Sequence, residues 1–422
     1  MAFLPHAQCW RALAVLVAWL LLSPRSGALQ TATGYAELGQ QIGLDRTRKD
    51  EKNTEPADAR NNLGISDRGQ NRMEDARKEY EETLKTYREL ARKDPEAYLP
   101  HVAATLNDLG ILDSDQNRME EARKEYEESL KIYRERAQKD PETYLPKVAA
   151  TLNNLGILDR DKNRIEEALK AYRELAQKDP RTYLPYVAIT HNNLGTLESA
   201  RNRMKEGRME FEEALKIYRE LAQKNPETYL PYVATMLNNL GILDSARNRM
   251  KEARKEHEEA LKTFRELAQK KPEAYLPYVA ATLNNVGMLD RDQSRIEEAL
   301  KTYRELAQKD PQTFLPEIAL TLNNLGILDS AQNRMKEARN ECEEALKSYR
   351  ELAQKNPETY LPYVAMTLNN LGILDSDQNR MAEARKEYEE ALKIYEAFAK
   401  QDPEQFTTDV KRLKKLLQEL PK

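Results

Sequence analysis

Cysteine, histidine and tryptophan are nearly missing from this chain. Of 422 residues, 2 are cysteine, 4 histidine and 2 tryptophan. Cys9, His6, Trp10 and Trp19 all fall within the first 28 residues, leaving Cys342, His101, His191 and His257 in the remainder. A lone thiol excludes a disulfide framework, and three scattered histidines have no metal-ligand spacing. Cys342 reads as a small buried hydrophobe.

Charge of one sign is missing too. Lysine and arginine number 67 against 71 acidic residues, a net charge of −4. Arg11 and Arg25 lie in the leading segment; without it the balance is 65 to 71, or −6. Such a chain lacks the basic footprint of a nucleic-acid binder. It has no glycine-rich phosphate loop and no serine elbow. Adjacent glutamates such as Glu127-Glu128 sit beside lysine and arginine, as on a solvated helix face. The residues therefore predict no enzyme, no cofactor and no metal.

Long apolar runs are limited to one. Ala12 to Leu22 spans 11 residues, too short to cross a bilayer comfortably. Arg11 precedes it and Ser26-Gly27-Ala28 follows, the pattern of a secretory signal peptide cut after Ala28. This predicts a secreted or periplasmic protein with no membrane insertion after cleavage. Residues 29–55 read as an N-terminal linker or frayed helix.

What the chain does have is repetition. A glycine recurs at Gly64, Gly110, Gly156, Gly195, Gly241, Gly287, Gly326 and Gly372, at intervals of 46, 46, 39, 46, 46, 39 and 46 residues. Pro95, Pro141, Pro180, Pro226, Pro272, Pro311, Pro357 and Pro403 keep the same intervals. A fixed period of this size means a stacked array, here eight units over residues 56–402. The order long, long, short itself recurs, since Gly64 to Gly195 and Gly195 to Gly326 are each 131 residues.

Each unit reads as two antiparallel helices, A and B. Helix A is expected to begin near the second proline, Pro146 in the third unit. At 100° per residue Val148, Leu152 and Leu155 share one arc, with Gly156 at its edge to admit a neighbouring helix. Asn117-Arg-Met-Glu120 and Ser294-Arg-Ile-Glu297 have capping-box spacing and should open B helices. Short units lack seven residues, which are expected to come from helix B. That would shorten B by ~10 Å and produce periodic ridges. The tail from Thr408 to Leu420 has apolar residues at helical spacing and should form a capping helix over residues 403–422.

In the short unit Leu155-Gly156 is followed by Ala168, Tyr172 and Pro180. This skeleton resembles the tetratricopeptide repeat, and Leu-Pro-Tyr-Val-Ala-Ala-Thr-Leu-Asn-Asn is similar to the longer-period repeats of kinesin light chains and their bacterial relatives. The resemblance covers all eight units. It implies an all-α fold, a right-handed superhelical solenoid of antiparallel helix pairs, and protein or peptide binding on a concave surface built from A helices. Two departures stand out. The family usually has an aromatic residue three after the glycine. This chain has Asp67, Asp113, Asp159, Glu198, Asp244, Asp290, Asp329 and Asp375, and A is expected to end there with the acids paired to nearby arginines, Arg118 for Asp113. Cys342 stands where other units have Tyr, Phe or His.

One polar pattern suits binding. Asparagine pairs precede the Leu-Gly: Asn61-Asn62, Asn107-Asp108, Asn153-Asn154, Asn192-Asn193, Asn238-Asn239, Asn284-Asn285, Asn323-Asn324 and Asn369-Asn370. By helical angle they lie off the core arc, beside Ala104 and Ile111. A carboxamide both donates and accepts, which suits an extended peptide backbone, and the resemblance points the same way for the second of each pair. The alternative is a ladder bonding adjacent A helices. The absence of Lys and Arg at these positions argues against a clamp for a carboxylate. The function read here is a non-catalytic scaffold binding a protein or peptide segment. The alternatives are a self-associating surface scaffold without a discrete ligand and an accessory subunit of a secreted hydrolase.

Overall fold

The computed structural model describes residues 55–69 and 72–421. The signal peptide read over 1–28 and almost all of the linker read over 29–55 lie outside the described residues. Within them the regular structure is entirely helical, 17 helices with no strand. The chain divides between Lys224 and Asn225 into two compact bodies.

The first body contains α1 (Glu55–Gly69), α2 (Met73–Ala91), α3 (Pro95–Asp115), α4 (Met119–Ala137), α5 (Pro141–Leu158), α6 (Lys162–Lys178), α7 (Pro180–Ala200) and α8 (Met204–Lys224). The second contains α9 (Pro226–Ala246), α10 (Met250–Lys270), α11 (Pro272–Asp290), α12 (Gln293–Ala307), α13 (Pro311–Ala331), α14 (Met335–Lys355), α15 (Pro357–Asp377), α16 (Met381–Ala399) and α17 (Pro403–Glu419). Odd numbers from α1 to α15 are A helices and even numbers B helices. Within each body every helix packs on the one before and the one after it, as in an α-solenoid. The predicted arc is the core: Val148, Leu152 and Leu155 are buried among Tyr126, Tyr133 and Tyr172. In the second body Val364, Leu368 and Leu371 are buried among Tyr349, Tyr388 and Tyr395.

Helix A starts at the first proline, five residues before the expected point. The residue ahead of that proline is the cap. Asp94 accepts from the Ala97 amide at 3.1 Å, Asp140 from Thr143 at 3.2 Å and Asn225 from Thr228 at 3.3 Å. Asp-Pro is thus an N-cap followed by a residue whose missing N–H costs nothing in the first turn. The second proline lies inside the helix, where it gives up one backbone hydrogen bond.

The expected capping boxes are absent. Asn117 has φ 60°, a left-handed residue ending α3; asparagine tolerates that conformation well. The Arg118 amide then donates to the Asp113 carbonyl at 2.7 Å, a Schellman closure. At α12 the cap is Asp292, which accepts from the Ser294 amide at 3.1 Å and its hydroxyl at 2.6 Å.

The short repeats also differ from expectation. A Cβ on Gly110 would meet the Tyr126 ring, sixteen residues on, whereas one on Gly156 would meet Ile165, nine on. The seven missing residues therefore lie between these facing positions, at the tip of the hairpin. The Schellman closure moves three residues closer to the glycine, with Arg160 at φ 51° and the Asp161 amide bonded to the Gly156 carbonyl at 2.8 Å. Helix A of the short repeats has 18 or 19 residues against 21 in α3, α7, α9, α13 and α15. B loses the rest at its start. About one turn leaves each antiparallel helix, so the packed faces stay in register.

The tail forms α17, which covers α16. Phe406 and Leu413 are buried there, the Tyr395 and Phe406 rings are 6.0 Å apart, and Lys414 pairs with Glu396 at 2.8 Å. Lys411, Lys415 and Gln418 face solvent, so the last helix ends the second body on a polar surface.

Candidate functional site

Counting from the repeat glycine, positions −9, −6, −2 and +1 recur every three or four residues and form one stripe along each A helix. In the second body the stripes are Tyr232, Thr235, Asn239 and Ile242 on α9; Tyr278, Ala281, Asn285 and Met288 on α11; Glu317, Leu320, Asn324 and Ile327 on α13; and Tyr363, Met366, Asn370 and Ile373 on α15. Tyr232, Tyr278, Leu320, Met288, Ile327 and Ile373 are half-buried. Glu317 is the one charge among these sixteen positions.

The asparagines fall into two groups along this surface. Most are linked in a ladder in which the second amide of one repeat donates to the first of the repeat before it. Asn193 Nδ2 donates to Asn153 Oδ1 at 3.0 Å, and Asn154 to Asn107 at 3.4 Å. In the second body Asn285 donates to Asn238 at 3.2 Å, Asn324 to Asn284 at 3.1 Å and Asn370 to Asn323 at 3.0 Å. Asn369 Nδ2 reaches Asn370 Oδ1 on its own helix at 3.4 Å. Asn153, Asn192, Asn193, Asn238, Asn284, Asn323, Asn324, Asn369 and Asn370 are buried. Asn107, Asn154, Asn239 and Asn285 stay half-exposed. Several amide atoms in the ladder, including Asn153 Nδ2, Asn323 Nδ2 and Asn369 Oδ1, are buried without a hydrogen bond.

At the start of the ladder Asp108 replaces an asparagine and accepts from Asn61 Nδ2 at 3.1 Å. Loss of solvent raises its carboxyl above the usual range, against the Asn61 hydrogen bond and the charges of Arg68 and Lys147. One histidine joins the network from the core, and a second lies in a pairing of its own. His257 Nδ1 lies 3.0 Å from Asn238 Oδ1, and burial pushes its ring down to about 3, so it is neutral and donates. His191 takes a core position on α7 that leucine fills in most other repeats. Its Nδ1 lies 2.5 Å from Glu210 and its Nε2 3.0 Å from Arg173.

The recurrent acids sit at the hairpin tips, away from the stripe. They pair with arginine as expected, and three of them, Asp113, Asp159 and Asp375, do so with arginines from two repeats. Asp159 binds Arg123 of α4 at 2.7 Å and Arg164 of its own repeat at 2.8 Å. Asp113 binds Arg77 and Arg118, the latter at 3.0 Å, and Asp375 binds Arg339 and Arg380. Long A helices run two residues past the acid instead of ending at it. The cross-repeat partner was not read from the sequence, although an arginine 36 residues upstream recurs at Arg77, Arg123, Arg254 and Arg339. Cys342 is fully buried against Gly326, and burial raises its thiol.

The hairpins, the glycine contacts and the spacing agree with one sequence family. The chain matches the tetratricopeptide repeat over residues 55–135, 148–178, 186–266, 232–312, 278–351 and 317–397. It belongs to the tetratricopeptide repeat family. Among solved structures, apo RapI is similar at a TM-score of 0.50 and 13% identity, covering 71% of this chain and 99% of that one. BtubC (BKLC) from P. vanneervenii gives 0.43 and 24%, covering 56% and 92%. A tetratricopeptide repeat protein from Parabacteroides merdae ATCC 43184 gives 0.37 and 15%, covering 75% and 97%. No curated protein matches the sequence. The tetratricopeptide repeat fold typically mediates protein–protein interaction. Among the described residues no cluster of three His, Cys, Asp or Glu could hold a metal, and no helix is long and apolar enough to cross a membrane.

Proposed function

We propose that this chain is a non-catalytic scaffold, secreted or periplasmic, that binds an extended protein segment along the A-helix stripes. The observation carrying this reading is the chemistry of the stripes in the second body. Their sixteen positions hold three tyrosines, seven aliphatic or methionine side chains, four amides, one threonine and one acid, with no lysine or arginine.

The asparagines divide the work. Buried members hold adjacent A helices in register and fix the floor. Asn239 and Asn285 keep part of their surface open and are the amides a peptide backbone would reach, with Asn107 and Asn154 in the same role in the first body. Tyr232, Tyr278 and Met288 would receive apolar side chains of the segment, as rigid aromatic anchors do at protein interfaces.

The test is selection of a random-peptide display library on residues 29–422, with a variant carrying Asn239→Ala and Asn285→Ala as counter-target. Circular dichroism first establishes equal folding. Peptides that bind the parent and lose at least about tenfold on the variant support the proposal. Absence of enriched peptides, or equal binding to both proteins, would overturn it.

A further inference from the structure

The charge on the second-body stripes has one sign. Glu317 holds position −9 of α13, in a row whose other members are Tyr232 on α9, Tyr278 on α11 and Tyr363 on α15. In the first body the same position is His101 on α3, Lys147 on α5 and Tyr186 on α7. One turn beyond the stripe, the long A helices of the second body end at Ala246, Ala331 and Asp377. The surface therefore gains a second acid and still has no lysine or arginine.

The first body shows how such an acid can be neutralised from within. Asp115 ends α3 as Asp377 ends α15, and it pairs with Arg68 of the preceding A helix at 2.7 Å. Ser330 stands in the place of Arg68 on the helix before Asp377, which offers no cation there.

The rings in the row of Glu317 are held in place. Tyr278 stacks on Phe264 of the preceding B helix with ring centroids 5.1 Å apart, and Tyr363 stacks on Tyr349 at 5.1 Å. Helix α13 touches α11 on one side and α15 on the other. A carboxylate in a row of clamped aromatic rings suits an ammonium or guanidinium group, which pairs with the acid and lies against a ring face. Asn285 gives one amino hydrogen to Asn238 at 3.2 Å, and its carbonyl oxygen remains to accept from the same segment.

We propose that the segment received by the second body is basic, with a lysine or arginine paired to Glu317 in the tyrosine row and Asp377 adding to the attraction. This names the chemistry of the partner and rests on binding along the A-helix stripes.

The test begins with display selection on the full chain. Lysine and arginine should be enriched in the bound peptides over the input library, and the leading peptide should bind E317Q about tenfold more weakly than the parent. Replacing that peptide's own lysine or arginine by glutamine should cost as much on the unmodified chain, so the matter is decided even if E317Q fails to fold. Peptides that weaken on the Asn239→Ala, Asn285→Ala variant yet show no such enrichment would overturn the basic segment and leave the stripe reading standing. Equal affinity for parent and E317Q would do the same. Absence of any bound peptide would overturn both.

Discussion

A Cβ added to Gly156 would stand 2.5 Å from Cγ1 of Ile165 and 3.0 Å from its amide nitrogen. The glycine is what lets the two helices of the short hairpin touch. Gly156→Ala should therefore overpack the contact and cost about 1–3 kcal/mol. Gly69→Ala, where a Cβ meets nothing within 4 Å, should leave stability unchanged or slightly raised. Urea unfolding of both variants checks the pair; a neutral Gly156→Ala would contradict the close approach.

The amide ladder makes its own prediction. Asn193 and Asn153 are both buried, and Asn153 Nδ2 already lacks a partner. Asn193→Ala removes the 3.0 Å bond and leaves the Asn153 amide wholly unpaired, at a cost of about 1–3 kcal/mol. Asn62, exposed on α1, should tolerate alanine within about 0.5 kcal/mol.

Acid should weaken the second body through His257. Its folded ring is held near 3 by burial, against 6.5 ordinarily. An unfolded histidine takes up a proton below about 6.5 and the folded one does not, so stability falls as pH drops from that value toward 3. His257→Phe, which places the residue that α8 has at Phe211, should melt with a smaller loss between about pH 7 and pH 4.5 than the parent. Identical losses would show that His257 does not titrate on unfolding.

Lys271 stands where six other A helices have a capping Asp or Asn, and it forms no cap bond. Lys271→Asp should stabilise α11 by about 0.5–2 kcal/mol. Thermal unfolding reads the gain, and a loss would mean that Lys271 has a role of its own.

Periodicity carried most of the fold, because stacked identical units bury the same arc each time: Val148, Leu152 and Leu155 were legible from spacing alone. The hairpin tips were harder to read. Asn117 looks like a cap in sequence, but its ability to adopt φ 60° makes it a helix stop. The seven-residue deletion looks like a shorter B because sequence alone does not show that Gly156 faces Ile165 where Gly110 faces Tyr126. Asp140-Pro141 reads as a break until the Thr143 amide is seen bonded to the aspartate. For the site, the alternative of an amide ladder between adjacent A helices was legible from the repeated pairs. Which of them lie buried was set by the approach of neighbouring A helices, and His191 is buried between Arg173 and Glu210.

The central claim is that the A-helix stripes, rather than the outer B helices, receive the partner. Its most direct measurement places a photo-crosslinking amino acid at Tyr278 in one variant and at Lys262, exposed on α10, in another. Each is irradiated with a display-selected peptide. The account predicts a covalent adduct from position 278 and none from 262. Crosslinking at 262 with none at 278 would place binding on the B helices and contradict it.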